Sequence, residues 1–397
     1  MGFPSTLPIP AEVLTIAQKL EGAGFETWCV GGAVRDNLLG VENQDFDLTT
    51  AAQPEEVQRL FRRTVPIGVE HGTVAVLDRS NQPHEVTTFR RDVETDGRHA
   101  VVQFGVSLDH DLARRDFTIN AIAYHPLTHE WRDRFGGAED LARKVIRAVG
   151  DPAQRFREDY LRILRALRFA ARFGFQIERD TWDAAKAQAE GLKQLSAERV
   201  REEWFRGLQT ARRPSGLLEL WRDVGAVEMW LPEIGKGEGG RGKGTTSVMD
   251  ELPPDPVLIT SYLSADPVAT LKRLRCSNEG VERARRIAEH RQAWPEPISE
   301  VAVRRWLAKV GQAADDLLNI AEAEGWGDVL VETAGRVARS KAPLALGDLA
   351  VTGDDLLAAG VPRGPAVGET LRMLLDRVLD DPSLNSKEKL LSLVRRQ

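Results

Sequence analysis

Short apolar runs rich in β-branched and aromatic residues punctuate the first third of the chain. Thr27 to Val30, Val74 to Leu77 and Glu85 to Phe89 each read as a strand, whereas Ala33 to Leu39 carries helical spacing. This alternation predicts a mixed α/β domain over residues 1–140. Beyond residue 141 the β-type runs give way to a 3.6-residue period, clearest in Leu161, Leu164, Ala166, Leu167, Phe169, Ala170 and Phe173. The remainder is predicted to be nearly all helical. Residues 235–256 hold too much Gly, Pro and polar side chain to order a core, and they predict a loop or linker.

Charge changes the picture only when counted by segment. The chain of 397 residues carries 54 Lys and Arg against 60 Asp and Glu, a net −6, which suits a water-soluble globular protein of two to four units. Residues 141–215 alone hold 17 Lys and Arg against 10 Asp and Glu. A basic stretch in an otherwise acidic chain is what a polyanion-binding surface requires, although a solvated helix face would give the same count. Cys29 and Cys276 are the only cysteines, so neither a disulfide framework nor a cysteine-built zinc site is expected. No apolar run approaches the length of about 18 residues that spans a bilayer, and Met1 to Pro10 lacks the charged and apolar regions of a leader. The expected location is the cytoplasm, with no membrane partner and no obligatory protein partner.

Four clusters carry candidate chemistry. Gly31-Gly32-Ala33-Val34-Arg35-Asp36 follows a strand and opens a helix, an arrangement that brings backbone N–H groups close to a phosphate, with Arg35 adding charge. Neither a dinucleotide fingerprint nor a P-loop is present. Asp45 and Asp47 flank Phe46; on an extended strand both carboxylates point to one side and could hold divalent cations. Glu85, alone in a β-type run, is the candidate third acid of a two-metal phosphoryl-transfer centre. Arg114, Arg115, Asp116 and Asn120 bring together phosphate clamps and groups suited to ribose hydroxyls. A surface Arg–Asp pair would be the plainer account. Finally, Asp159 and Arg162 are three apart at a helix start, with Arg165 and Arg168 continuing the stripe. Cytosine and adenine each set an exocyclic amine beside an unprotonated ring nitrogen, so an Asp acceptor and an Arg donor would select C and A. An ordinary i,i+3 ion pair at a helix start is also sufficient for these two residues.

In order, GGAVRD, DFDLTT, RRDFTINA, FGGAEDL, EDYLRILRALRF and AERVREEW resemble the class II tRNA nucleotidyltransferases and the related bacterial poly(A) polymerases, over about residues 20–235. The resemblance implies an elongated multidomain protein: an α+β nucleotidyltransferase head over residues 1–140, then an all-α neck (141–215), body (216–330) and tail (331–397), the tail contacting tRNA. It implies that Asp45 and Asp47 bind the metals, taken as a two-ion Mg²⁺ site, and that Gly32 and Arg35, beside Gly31, contact the triphosphate. Arg114, Arg115 and Asp116 would serve ribose and triphosphate, Asp159 and Arg162 would read the base, and Arg165 and Arg168 would be further nucleotide contacts. The implied reaction adds CMP and AMP from CTP and ATP to the 3′ acceptor end of tRNA and releases pyrophosphate.

The Glu158-Asp159-x-x-Arg162 form resembles the tRNA-repair members more than the poly(A) polymerases. The polar stretch Arg91 to Ala100, with Gly97 and Arg98, reads as the flexible loop that CC-only members lack, hence full CCA addition. CC-only, A-only and poly(A) activities stay open. A non-catalytic RNA-binding protein on this scaffold would have no use for Asp45 and Asp47, and a signalling nucleotidyltransferase none for a basic neck and helical tail. Beyond residue 130 the chain has only His290, so the metal-dependent HD hydrolase domain of some relatives is not expected. Leu271-Lys272-Arg273-Leu274-Arg275 and Arg395-Arg396 are candidate phosphate trackers or plain exposed helix faces, and the scattered tryptophans, such as Trp204, Trp221 and Trp230, read as core.

Overall fold

The computed structural model describes residues 2–68, 72–95, 100–234, 245–291 and 293–395. The chain divides into two units, Met1–Trp230 and Leu231–Gln397. In the first, α1 (Ala11–Gly22) precedes β1 (Thr27–Val30), a strand buried at all four positions. Gly31 then adopts φ +79°, which a residue with a side chain adopts only with strain, and α2 (Gly32–Leu38) begins at once. There follow β2 (Asp47–Thr50), α3 (Pro54–Leu60), β3 (Thr64–Gly68), β4 (Thr73–Leu77), β5 (Pro83–Thr88), β6 (Arg90–Thr95), β7 (Ala100–Phe104), α4 (Leu108–Ala113), β8 (Ala123–Tyr124), β9 (Trp131–Arg132) and α5 (Gly137–Arg143). Seven strands make one sheet in the order β3-β4-β5-β2-β1-β8-β9, while β6 and β7 form a separate hairpin. The strands and the helix expected before residue 140 are all present, with ends shifted by a residue or so. Of the stretch Arg91 to Ala100, expected as a flexible loop, Arg91 to Thr95 belong to β6 and Ala100 opens β7, while Gly97 and Arg98 lie outside the described residues.

Past the head, β10 (Val145–Ile146) and β11 (Gln176–Ile177) form a short parallel pair, a small exception to the all-helical expectation. Between them α6 (Pro152–Glu158) starts on an Asp151 cap that accepts from the Gln154 N–H, and α7 (Leu161–Phe173) ends at Gly174 in the left-handed region. The apolar period of α7 falls largely where it was read: Leu164, Ala166, Leu167, Phe169, Ala170 and Phe173 are buried, whereas Leu161, on the first turn, is half-buried and Ile163 takes a buried place that was not expected. Then come α8 (Arg179–Ala187), α9 (Ala197–Thr210), α10 (Pro214–Asp223) and α11 (Ala226–Trp230). Trp204 and Trp221 are buried against each other with ring centroids 4.8 Å apart.

One core joins sheet and helix. Leu20, Cys29, Val34, Phe46, Leu48, Val86 and Phe117 belong to the same buried cluster as Ala166, Phe169, Ala170 and Phe173 of α7. Phe117 meets Phe169 edge-on at 5.8 Å. The site residues of the two stretches therefore hang from a single packed body.

The second unit is helical among its described residues: α12 (Thr245–Met249), α13 (Pro256–Leu263), α14 (Pro267–Arg273), α15 (Asn278–His290), α16 (Glu300–Val310), α17 (Ala314–Ala323), α18 (Gly327–Arg339), α19 (Gly353–Ala358), α20 (Pro365–Asp380) and α21 (Lys387–Val394). The loop expected at 235–256 is interrupted by α12, where Val248 and Met249 find buried positions. Residues 235–244 lie outside the described residues, as does Arg396. Arg273 is no free phosphate tracker, since its guanidinium pairs with Glu233.

Candidate active site

The acids gather at one end of the central strands. β2 runs parallel to β5 with Leu48 beside Val86, so one step back sets Asp47 beside Glu85. Asp45 precedes β2 rather than lying on it, and its N–H donates to Asn43 Oδ1 at 3.0 Å. Asp45 and Glu85 are exposed and Asp47 half-buried. Burial, with the neighbouring Glu85 and Asp45 charges, pushes the Asp47 carboxyl up to about 6, against the pull of Arg115. That is an excess of negative charge in want of a cation. Among the described residues no three carboxylates, imidazoles or thiols close into a ready cage. An open pair fits Mg²⁺, which keeps waters and phosphate oxygens and takes only one or two carboxylates.

The candidate phosphate contacts face this pair. A Cβ placed on Gly31 would stand 3.4 Å from Arg115 Nη1 and 3.5 Å from Asp47 Oδ2, so the glycine turn, the cation and the acid meet at one point. Arg115 Nε is buried without a hydrogen-bond partner among the described residues. An orphaned donor of that kind is costly unless a ligand satisfies it, and a phosphate oxygen would. Asp111, which the sequence reading passed over, organises the clamp: its fully buried carboxylate accepts from Arg114 Nε (3.0 Å) and Nη2 (2.8 Å) and from Arg115 Nη2 (3.3 Å). Burial would raise the Asp111 carboxyl, but the two arginines more than offset it and hold it below the ordinary aspartate range. Helical spacing of three and four residues was the available signal.

The base-reading candidates stand on the break between two helices. Asp159 closes α6 in extended conformation; its Oδ1 accepts from the Leu161 N–H (3.0 Å) and its Oδ2 from Arg199 Nη2 on α9 (2.7 Å). Arg162 donates to Glu158 Oε2 (2.7 Å), to the Arg155 carbonyl (3.0 Å) and to the Arg114 carbonyl (3.1 Å). Their side chains therefore do not pair with each other, although the Arg162 N–H donates to the Asp159 carbonyl at 3.1 Å, and the simple i,i+3 ion pair is not what fixes them. A Cβ on Gly191 would fall 2.1 Å from the Tyr160 ring, so that glycine makes room for the turn between Asp159 and Leu161.

The remaining candidate residues have partners inside the protein. Arg35, 4% exposed, donates to Asp36 Oδ1 (2.8 and 2.6 Å) and to Asn120 Oδ1 (2.5 Å), and lies over the Phe169 and Phe173 rings. Asp116 Oδ2 accepts from Arg165 Nε (2.8 Å) and Nη2 (2.6 Å), and its Oδ1 from Asn120 Nδ2 (2.9 Å) and the Phe117 N–H (2.8 Å). Burial opposes its ionisation, yet Arg165, Asn120 and the Phe117 amide hold Asp116 down to about 2. Arg168, also 4% exposed, donates to Glu203 Oε2 at 2.6 Å.

Candidate acids at one end of a mixed sheet stand beside a pair of arginines and a polar turn on the following helices, and comparison with known proteins makes the chain a nucleotidyltransferase. The family described as "Poly A polymerase head domain" matches residues 27–147, and "Probable RNA and SrmB- binding site of polymerase A" matches residues 174–236. The CCA-adding enzyme of Lacticaseibacillus paracasei is 35% identical, covering 97% of this chain and 96% of its own; that of Streptococcus gordonii is 44% identical over 58% of this chain and 57% of its own. The crystal structure of the Bacillus stearothermophilus CCA-adding enzyme in complex with CTP superposes with a TM-score of 0.83 at 30% identity, covering 98% of both chains. The chain belongs to the CCA-adding enzyme family.

Proposed function

We propose that this nucleotidyltransferase adds CMP and AMP, without a nucleic-acid template, to the 3′ end of tRNA. The observation that carries the reading is the arrangement of Asp47 with Glu85, the Arg114–Arg115 clamp and the Asp159–Arg162 turn around one core, with Arg162 bonded to the Arg114 carbonyl. Asp45 and Asp47 would hold the metal, taken as a pair of Mg²⁺ ions. Bound there, such ions acidify an attacking hydroxyl and neutralise pyrophosphate as it leaves. Arg115, whose Nε has no partner among the described residues, would take a phosphate oxygen. Asp159 would accept from the exocyclic amine of C or A while Arg162 donates to the adjacent ring nitrogen; U and G present the opposite pattern and leave both groups unpaired. The cytoplasm is the proposed location, since there tRNA ends are made and repaired.

Full CCA addition is favoured over CC-only or A-only addition by the polar stretch Arg91 to Ala100. The test uses three tRNA transcripts, ending before CCA, after C and after CC, each incubated with protein, Mg²⁺ and CTP, ATP or both. Completion of all three is expected. Arrest at CC, or extension of the last alone, assigns a partial activity, and long A tails assign a poly(A) polymerase.

A further inference from the structure

The order of strands sets the acids between two unlike flanks. Gly31 follows β1, and Arg115 donates through Nη1 to the Asn120 carbonyl (3.4 Å), shortly before β8, so the candidate phosphate contacts lie on the β1–β8 side of Asp47. Glu85 lies on the other side, where β5, β4 and β3 follow in turn. Residues directly opposite each other on neighbouring strands share a face of the sheet. Val65 is opposite Ala75 and Ala75 opposite Glu85, so they extend the row that holds Asp47. Further along the same face Thr73 and Thr87 stand directly opposite each other, with their hydroxyl oxygens 3.0 Å apart. Both are half-buried, and Val65 is 41% exposed. Near the acids this face thus presents hydroxyl, apolar and carboxylate groups, and no Lys or Arg among the described residues of β3, β4 and β5.

We infer that the Thr73–Thr87 pair binds the ribose at the 3′ end of the RNA being extended, through its 2′-hydroxyl. This rests on the proposed reading of the acids and the clamp. In phosphoryl transfer the attacking and leaving oxygens stand roughly in line. With pyrophosphate leaving toward Gly31 and Arg115, the attacking hydroxyl enters over Glu85, which brings its ribose onto β5 and β4. There the 3′ oxygen bonds to the α-phosphorus as the bond to pyrophosphate breaks, and the hydroxyl proton leaves to water. Two hydroxyls bonded to each other use one proton and keep the other, so the pair donates to one sugar oxygen and accepts from another hydroxyl. A phosphate on this flank would meet the Glu85 charge with no cation to offset it, whereas an uncharged sugar does not. The 2′-hydroxyl is the group by which a protein tells an RNA end from a DNA end.

The test uses tRNA transcripts ending after C and after CC, each with ribose or 2′-deoxyribose in its last nucleotide, and measures kcat/KM for each end with the full chain, Mg²⁺, CTP and ATP. The unmodified protein is expected to favour the ribose ends. Thr87→Val and Thr73→Val keep the branched shape and remove the hydroxyl; each is expected to lower that preference about five- to tenfold, as for one lost hydrogen bond, with KM for CTP and ATP unchanged. Thr87→Ser is expected to retain it. A ratio of two RNA ends does not depend on the fraction of folded enzyme, so a purely structural role leaves it where it was. A 2′-deoxy substitution one nucleotide earlier is expected to affect all variants alike. Indifference of the unmodified protein to the last ribose overturns the subsite. So do valine variants that retain the preference, or that raise KM for the incoming nucleotide in its place. Failure of the unmodified protein to extend any of the transcripts overturns the proposed function, and the subsite with it.

Discussion

Arg162, on the first turn of α7, donates through Nη2 to the backbone carbonyl of Arg114 at 3.1 Å. The residue read as choosing the base thereby touches the segment read as holding the phosphates. On that reading selection and transfer share a frame, and substitutions are expected to separate them only in part.

Asp45→Ala should lower single-turnover incorporation by about a thousandfold or more, several kcal/mol of transition-state stabilisation. RNA affinity in a filter-binding assay should stay close to that of the unmodified protein. Incorporation at the original rate would remove the metal assignment.

Asp159→Ala and Arg162→Ala should relax the choice of C and A over U and G by about 1–3 kcal/mol each, the worth of a bidentate contact. Arg162→Ala should also slow transfer of the correct nucleotide, because its bond to Arg114 is lost. Competition between labelled nucleotides reads both effects.

Gly191→Ala would drive a methyl group into the Tyr160 ring, from which an added Cβ stands 2.1 Å. The expected cost is about 1–3 kcal/mol of stability, with a loss of base discrimination because Asp159 is the neighbour of Tyr160. Urea unfolding and misincorporation assays check the two halves; a lower stability with intact discrimination would mean that the turn is anchored elsewhere.

Asp116 titrates near 2 in the folded protein against an ordinary 3.8. A depressed carboxylate contributes its full stability above pH 3.8 and loses it as pH falls through 2. The contribution is on the order of 2 kcal/mol. The stability difference between the unmodified protein and Asp116→Asn should therefore narrow as pH drops from about 5 to 2, in denaturant titrations at each pH. A constant difference would show that hydrogen bonding, not charge, carries the effect.

Much of the site was legible before the fold was known. The Gly31 turn, the Asp45–Asp47 pair and the α7 stripe are local patterns, set by backbone conformation and helical period. What escaped was partnership. Arg165 meets Asp116 across 49 residues and Arg199 meets Asp159 across 40, and nothing in local spacing says which carboxylate a guanidinium will find. Asp116 and Asn120 read as ribose ligands because their chemistry suits one; that their oxygens accept from Arg165, Phe117 and Arg35 within the protein was not legible. Asp36 and Glu203 fall within the GGAVRD and AERVREEW stretches, but nothing in the sequence named the arginines they hold. The helix at Thr245–Met249 escaped because its few apolar residues, Val248 and Met249, are too short a run to show a period.

The buried cluster that passes from Phe46 and Phe117 into Phe169 and Phe173 leaves no seam near residue 140. A graft that exchanged only the sheet for that of a relative would pair mismatched surfaces across Phe117 and Phe169, inside that close-packed core. Recombination is expected to be tolerated near residue 230, where the two units divide. Under that constraint catalysis and nucleotide preference are inherited together, as one indivisible piece.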